Sequence, residues 1–269
     1  MLPDLKSATI ELDEKESKLR ELLVAVADSI NESKQANNEK EKVELRWAGG
    51  WVRDKLLGIQ SHDIDTAINC MTGEAFATRL TAFCDVEANR ARYGVGPDDV
   101  GRLHKVASNP DKSKHLETTT TKLYGLDLDF VNLRKETYAD DSRNPQVEFG
   151  TPQEDAERRD ATVNALFYNI HTQLVEDFTG GLEDMRRGLI RTPMEPFQTF
   201  MDDPLRVLRL LRFASRLEFK IDAEAERVMS DPRVLDALRL KISRERIGVE
   251  LEKMLKGLLG HGCPRGKEH

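Results

Sequence analysis

The chain has 269 residues, of which 39% are apolar and 33% charged, and its net charge is −7. This composition is that of an ordinary globular protein, and the length allows one large domain or two smaller ones. No apolar run reaches membrane-spanning length, and the acidic N-terminus shows neither a secretory signal nor a transit peptide. We therefore predict an intracellular protein of the cytoplasm, nucleus or mitochondrion. The 3 cysteines form no CxxC pair, which argues against a disulfide framework or a zinc site.

Apolar residues recur at helical spacing between residues 8 and 31, which predicts a packing helix without chemistry. A polar run from Asn31 is expected to end this helix as a linker. Residues 1–40 are accordingly assigned to an N-terminal helix and linker that pack on the domain that follows.

The stretch from Val43 to Asn69 reads as a strand, a Gly49-Gly50 turn, a helix and a second strand. A glycine pair between strand and helix lets the backbone approach a ligand closely, and the free amides of the helix start favour an anion. Arg53 adds a charged donor in the first turn of that helix. The pattern predicts a phosphate-binding turn.

Two aspartates, Asp63 and Asp65, stand two residues apart on the second strand. They project from one face of the sheet, where they could hold a divalent metal ion. His62 beside them would suit a metal-dependent hydrolase, but the further histidine and aspartate ligands are not evident at suitable spacing. We interpret His62 as a flanking strand residue.

A long irregular segment follows, because helical and strand patterns both break down between residues 85 and 121. A loop of this length usually serves a function or is disordered. The next strand carries Asp127 and Asp129 on one face and apolar residues on the other. Because buried strands avoid carboxylates, this acidic face is expected to meet solvent, metal or cations.

The block from residue 152 begins as a charged helix with Asp155, Arg158 and Arg159 within helical reach, and a salt-bridged surface helix is the simplest interpretation. From residue 202 onwards the chain reads as helices. Residues 186–216 carry seven arginines and three acidic residues, a local charge of +4. Such a face can bind polyanions in an acidic chain, and a solvated helix face is the alternative.

Five motifs, in order, resemble those of the class II tRNA nucleotidyltransferases, the CCA-adding enzymes of the polymerase-beta-like superfamily. The bacterial-type poly(A) polymerase is a near relative within this class. The motifs are GGWVRD (49–54), DID (63–65), RRDATVNAL (158–166), FTGGLEDMRRGLIRTP (178–193) and DDPLRVLRLLRFASRL (202–217). The resemblance covers roughly residues 4–257 and is closest to the eukaryotic members.

The resemblance implies an α+β fold: a polymerase-beta-like nucleotidyltransferase head with a mostly antiparallel five-stranded sheet, followed by an all-helical neck. We assign the head to residues 41–190 and the neck to residues 191–260. Residues 261–269 match nothing expected of the family and are assigned to an atypical tail. The body and tail domains of the family are expected to be missing from this sequence.

The resemblance also implies a reaction, the addition of nucleotides to the 3′ end of tRNA with Mg²⁺ as cofactor. Metal ions activate the attacking hydroxyl and neutralise the leaving pyrophosphate in such chemistry. Asp63 and Asp65 are the expected catalytic metal ligands. Asp129 matches the family position of a third catalytic carboxylate, and Asp127, on the same face, is the alternative.

The resemblance further assigns nucleotide-binding residues to the triphosphate, the ribose and the base. They are Gly49, Gly50 and Arg53 for the triphosphate, Arg159 and Asp160 for the ribose, Asp203 and Arg206 for the base, and Arg209 and Arg212 for the base or triphosphate.

Asp203 and Arg206 predict which base the nucleotide carries. We expect them to lie one helical turn apart, so that they present a hydrogen-bond acceptor beside a donor. Cytosine and adenine match this arrangement, whereas uracil and guanine carry the reverse pattern and would leave buried polar groups unpaired. CTP and ATP are therefore the expected substrates. Asp202 stands where the family motif usually has glutamate, and Arg209 and Arg212 continue the same face.

Several narrower functions stay open. The loop from Ala88 to Thr121 occupies the place of a flexible element that helps the family switch from CTP to ATP, which favours full CCA addition. CC-only addition, A-only addition and poly(A) synthesis are the alternatives within the class. The alternative of a different class is a catalytically poor nucleotide- or RNA-binding fragment. We expect no membrane association and no obligate protein partner.

Overall fold

The computed structural model describes residues 9–37, 41–99, 119–137 and 146–260. The strands are β1 (Leu45–Ala48), β2 (Asp63–Ile68), β3 (Thr119–Leu123), β4 (Leu126–Asn132), β5 (Arg134–Thr137), β6 (Gln146–Phe149), β7 (Phe167–Asn169), β8 (Leu174–Glu176), β9 (Leu189–Ile190) and β10 (Lys220–Ile221). The helices are α1 (Glu14–Ala36), α2 (Gly50–Leu56), α3 (Gly73–Asp85), α4 (Glu87–Tyr93), α5 (Pro152–Glu157), α6 (Gly181–Arg187), α7 (Pro196–Asp202), α8 (Leu205–Leu217), α9 (Ala223–Met229), α10 (Pro232–Lys241) and α11 (Arg244–Gly260).

The central sheet has six strands in the order β3-β4-β2-β1-β7-β8. Strands β2 and β4 run parallel, and the other neighbouring pairs of this sheet run antiparallel. The predicted mostly antiparallel α+β fold is therefore confirmed. The sheet has one strand more than the five expected, and β7 and β8 form an antiparallel hairpin at one edge of it.

Helix α1 covers one side of the sheet with leucines that are fully buried, among them Leu19, Leu22 and Leu23. Its start is fixed by a capping box, in which the Asp13 side chain accepts from the Glu16 amide and the Glu16 side chain accepts from the Asp13 amide. The helix thus begins later than predicted. It also continues to Ala36, into the polar segment after Asn31 that we expected to be a linker.

The interface of α1 with α2 fixes the helix that follows the glycine turn. Glu16 is only 1% exposed. Its carboxylate accepts a hydrogen bond of 3.2 Å from Trp51 Nε1 and lies 2.5 Å from Lys55 Nζ. The rings of Trp51 and Trp47 meet edge to face, with centroids 4.7 Å apart. These contacts anchor α2 to the core of the sheet.

Part of the segment that we predicted to be irregular, residues 85–121, is helical in the structure. Residues 87–93 form helix α4, which Gly94 ends in a left-handed conformation. The rings of Phe83 and Tyr93 contact each other across the junction of α3 and α4. The central part of the predicted loop, residues 100–118, lies outside the described residues.

The C-terminal part is helical from α7 to α11, as predicted, apart from one short strand. Strand β10 pairs in parallel with β9 at the end of the sheet-containing part. The assigned boundary between residues 190 and 191 thus falls beside a contact between the two parts and stays a prediction. The tail at 261–269 lies outside the described residues. None of the helices in the described ranges has the length and apolar character that crossing a bilayer requires.

Candidate active site

The aspartates of β2 and β4 lie on one face of the centre of the sheet. Asp63 and Asp65 alternate with buried residues along β2, which places both carboxylates on the same side. In the parallel register of β2 and β4, Asp63 lies beside Asp127 and Asp65 beside Asp129. Neighbouring strands are about 4.8 Å apart, so the four carboxylates form a compact acidic patch.

The four carboxylates differ in their partners. Among the described residues, no hydrogen bond or ion pair engages the carboxylate of Asp63 or Asp65. Asp127 pairs with Lys122 at 3.0 Å, whereas Asp129 accepts 2.6 Å from the Thr120 hydroxyl. The charge of Asp127 is thus already balanced, and that of Asp129 is not. This difference favours Asp129 as the third carboxylate.

The surroundings of Asp65 disfavour its charge. Its side chain is open to solvent at the surface, yet enough protein surrounds it that desolvation raises its pKa. The negative charges of Asp129 and Asp63 raise this pKa further, and Arg159 opposes them. In the part of the chain that the structure describes, no three Asp, Glu, His or Cys side chains are already gathered at metal-binding distances.

Gly49 forms the turn between β1 and α2. Its φ is +69°, a conformation that favours glycine, and its amide donates to the Leu166 carbonyl at 3.0 Å. A Cβ at this position would lie 2.8 Å from Arg159 Nη1 and 3.8 Å from Asp65 Oδ2. The turn, Arg159 and Asp65, which come from three separate segments of the sequence, therefore meet at one point.

Arg53 is buried rather than directed freely towards a ligand. Its Nε donates to Asp54 at 2.7 Å, and its Nη1 donates to the Asn164 side-chain oxygen. Burial lowers the pKa of this guanidinium, and Asp54 opposes that shift. Arg53 is 3% exposed, so burial limits the approach of a phosphate to its remaining N–H groups.

Arg159 and Asp160 lie between helix α5, which ends at Glu157, and a 3₁₀ turn at Thr162–Asn164. Asp160 is 6% exposed. It accepts from Arg209 Nε at 2.5 Å and from Asn164 Nδ2 at 3.3 Å. Burial alone would raise its pKa, but Arg209, assisted by Arg206 and Asn164, holds the pKa down at about 2.

The arginines of α8 face the junction with the sheet domain. Arg206 is buried and donates to the Arg158 carbonyl at 2.7 Å and to the Thr199 carbonyl at 3.4 Å. Arg212 donates to Glu250 at 2.7 Å, and its guanidinium lies 4.3 Å from the centre of the Phe213 ring. These contacts hold the guanidinium groups in defined orientations.

Asp203 is placed differently from the prediction. It lies between α7 and α8 in an extended conformation, with φ −136° and ψ 97°, and not on the helix that carries Arg206. Pro204 explains this, because proline disfavours the helical conformation of the residue before it. Within the described residues, its carboxylate pairs with Arg246 at 3.3 Å and makes no hydrogen bond or ion pair with the Arg206 side chain.

Four residues that sequence reasoning did not assign to the site support it. Asn164 joins Arg53 to Asp160, and Glu250, only 3% exposed, binds Arg212. The others are Asp155, which holds Arg159, and Arg246, which holds Asp203. Asn164 lies inside a quoted motif, but no spacing in the sequence pointed to Glu250 or Arg246, which come from α11.

Comparisons with known proteins show which family the chain resembles. A model described as the poly A polymerase head domain matches residues 45–191. Nucleotidyltransferase lcsQ of Purpureocillium lilacinum is 66% identical over 256 residues, covering 95% of this chain and 42% of that protein. The mitochondrial CCA tRNA nucleotidyltransferase of Saccharomyces cerevisiae is 54% identical over 254 residues, covering 94% of this chain and 45% of that protein.

Solved structures show the same likeness in three dimensions. A CCA-adding enzyme in complex with CTP matches with a TM-score of 0.64 at 26% identity, over 91% of this chain and 48% of that one. The chain thus spans about half the length of the relatives it matches.

Proposed function

Because this chain belongs to the poly A polymerase head-domain family, we propose that it carries the catalytic head and the neck of a template-independent tRNA nucleotidyltransferase. The proposed reaction is Mg²⁺-dependent transfer of CMP and AMP from CTP and ATP to the 3′ end of tRNA. The observation that carries the proposal is the pair Asp63 and Asp65, whose carboxylates have no protein partner among the described residues. Asp65 lies beside Asp129 and the Gly49 turn, and Asp63 is its neighbour on the same face of β2.

The acidic patch suits Mg²⁺, which takes hard oxygen ligands such as carboxylates. Asp63, Asp65 and Asp129 would hold the metal. The chemistry that bound Mg²⁺ supplies is activation of the attacking hydroxyl and neutralisation of the departing pyrophosphate. Desolvation, and then the charges of Asp129 and Asp63, raise the pKa of Asp65, so a bound cation would stabilise its ionised form.

The nucleotide would bind against the Gly49-Gly50 turn, with its ribose near Arg159 and Asp160. Arg159 supplies positive charge next to Asp65. The pKa of Asp160, held at about 2, keeps its carboxylate ionised and able to accept from sugar hydroxyls. A carboxylate acceptor at this point favours a ribonucleotide over a deoxyribonucleotide.

Base selection is proposed to use Arg206 as the donor and Asp203 as the acceptor. The two backbone carbonyls that hold the Arg206 guanidinium support a fixed donor. Asp203 would have to exchange Arg246 for the exocyclic amino group of cytosine or adenine. Arg209 and Arg212 complete the arginine face of α8 and stay predicted contacts of the base or triphosphate.

The direct test is incubation of the full chain with tRNA lacking one, two or three 3′ nucleotides and with each labelled NTP in turn. We expect Mg²⁺-dependent incorporation of CMP and AMP, and loss of incorporation in Asp63→Ala. Asp236→Ala is a matched control, because Asp236 is an exposed aspartate of α10. Incorporation of UMP or GMP at rates like that of CMP would contradict selection by Asp203 and Arg206.

The same assay separates the alternatives. CMP alone, AMP alone or a long run of AMP would indicate CC addition, A addition or poly(A) synthesis. Equal Mg²⁺-dependent CTP binding by the unmodified protein and Asp63→Ala, without transfer by either, would indicate a nucleotide- or RNA-binding fragment. The compartment stays a prediction among cytoplasm, nucleus and mitochondrion; the Saccharomyces cerevisiae relative is named as mitochondrial.

A further inference from the structure

Asp155 is a buried carboxylate shared by two consecutive arginines. It is 1% exposed, although the sequence suggested a salt bridge on a helix surface. Its Oδ1 accepts from Arg158 Nε at 3.0 Å, from Arg158 Nη2 at 2.5 Å and from the Arg134 amide at 3.3 Å. Its Oδ2 accepts from Arg159 Nε at 3.1 Å and from Arg159 Nη2 at 2.9 Å. Each arginine therefore makes a two-point contact with its own oxygen.

The two-point contact fixes the plane of the Arg159 guanidinium. Its remaining nitrogen, Nη1, donates to the Asn164 carbonyl at 3.0 Å. These three hydrogen bonds leave roughly two of the five guanidinium N–H groups for a ligand. The Arg159 guanidinium lies 5.0 Å from the centre of the Phe167 ring. Its Nη1 lies so close to Gly49 that a Cβ added there would be 2.8 Å away.

We propose that Asp155 is a positioning residue for the incoming nucleotide, because it holds Arg159 in one orientation between the Gly49 turn and Asp65. The proposal rests on the nucleotide-binding role proposed above for Arg159. Without the two-point contact, Arg159 would rotate about its side-chain bonds and would have to be ordered by the nucleotide itself, at a cost in affinity.

A purely structural role for Asp155 is the competing account, and Glu136 makes it testable. Glu136 belongs to the same buried ionic cluster, with a side chain that is 5% exposed, and it binds Arg158 at 3.1 Å and Arg134 at 2.8 Å. It makes no hydrogen bond or ion pair with Arg159 in the described part of the chain. Glu136→Gln is therefore a matched control for Asp155→Asn.

Asp155→Asn should release Arg159 and leave Arg158 bound. An asparagine keeps one acceptor oxygen, and its NH₂ group repels other donors. The Oδ1 side of Asp155 receives three donors and the Oδ2 side two. The remaining oxygen is thus expected to stay with Arg158 and the Arg134 amide, so that the NH₂ group faces Arg159.

The experiment measures equilibrium binding of CTP and of 2′-deoxy-CTP, with Mg²⁺, to the full chain and its variants, together with thermal unfolding. We expect Asp155→Asn to weaken CTP binding about tenfold, the effect of one lost charge-assisted hydrogen bond, and to reduce the preference for CTP over 2′-deoxy-CTP. Glu136→Gln should lower the unfolding temperature similarly and leave both binding constants unchanged. Adding Asp155→Asn to Arg159→Lys should cause no further loss.

Four results would overturn the proposal. Wild-type CTP affinity in folded Asp155→Asn, or equal weakening by Glu136→Gln, would reduce Asp155 to a structural residue and leave the proposed function standing. Absence of CTP binding by the unmodified protein would refute the proposed function and this inference with it.

If Asp155→Asn does not fold, Asp155→Glu replaces it. The longer carboxylate should displace Arg159 and weaken CTP binding several-fold, and wild-type CTP affinity in this variant would overturn the proposal.

Discussion

Asp160 and Arg209 form an ion pair, with 2.5 Å between Oδ2 and Nε, that joins the sheet-containing part of the chain to helix α8. The carboxylate is buried, and the guanidinium side chain is 35% exposed. Asn164 contacts the other oxygen of Asp160 and also binds Arg53 of α2. A continuous set of hydrogen bonds thus runs from the helix after the glycine turn to the arginines of α8.

Arg209→Gln should destabilise the protein, because it leaves the buried Asp160 carboxylate with weaker partners. Loss of one partner of a buried pair costs about 3–5 kcal/mol. The partial exposure of Arg209 reduces this to roughly 1–3 kcal/mol. The free energy of unfolding in urea measures the effect. Arg239→Gln is the control, since the Arg239–Asp236 pair is exposed at the surface, and an equal loss in both variants would contradict the prediction.

The same pair predicts a pH dependence of stability. The pKa of Asp160 is lowered from 3.8 to about 2 in the folded protein, so its contribution is complete above the ordinary carboxyl range and is lost as the pH falls towards 2. In Arg209→Gln the main group that lowers this pKa is absent. The difference in unfolding free energy between the two proteins should therefore be full near neutral pH and shrink between about pH 4 and pH 2. A difference that stays constant across that window would contradict the assignment.

Gly49→Ala should impair both stability and nucleotide binding. Gly49 has φ +69° and ψ −126°, a sparsely populated backbone region that costs roughly 1–3 kcal/mol for a residue with a Cβ. The added Cβ would also displace Arg159 Nη1. Gly58→Ala separates the two effects, because Gly58 has a φ of +72° and nothing within 4 Å of a Cβ. We expect Gly58→Ala to lose stability alone, and Gly49→Ala to lose CTP affinity as well. Equal CTP binding by the two variants would show that the turn does not position Arg159.

The parts of the site set by local patterns were predictable from the sequence. Strand alternation predicted that Asp63 and Asp65 share one face of their strand and that Asp127 and Asp129 share one face of theirs, and the burial pattern of each strand agrees. The register of β2 and β4 then brings the two pairs together. The resemblance to tRNA nucleotidyltransferases is likewise confirmed by the comparisons. Strand alternation and the glycine turn are properties of neighbouring residues, which is why they can be read from the chain directly.

The parts that depend on long-range packing were not predictable. Asp155 was predicted to lie on the surface because its helical neighbours are charged. In the structure β5 covers it: the Arg134 amide donates to Asp155, and Glu136 binds Arg158. The placement of Asp203 on a helix was wrong for a local reason, since the following proline outweighs the helical pattern. Glu250 and Arg246 reach the site from α11 only because the helices fold back on α8.

The choice between Asp127 and Asp129 can be decided by paired variants. Asp127 is 47% exposed and already pairs with Lys122, so Asp127→Asn should leave stability and activity nearly unchanged. Asp129 lies next to Asp65, and loss of a metal-binding carboxylate removes several kcal/mol of transition-state stabilisation. We therefore expect Asp129→Asn to reduce Mg²⁺-dependent CMP transfer by roughly 10³-fold, with an unfolding temperature close to that of Asp127→Asn. Both substitutions replace one carboxylate of β4 by an amide of the same size, so the reverse order of activities would assign the third carboxylate to Asp127.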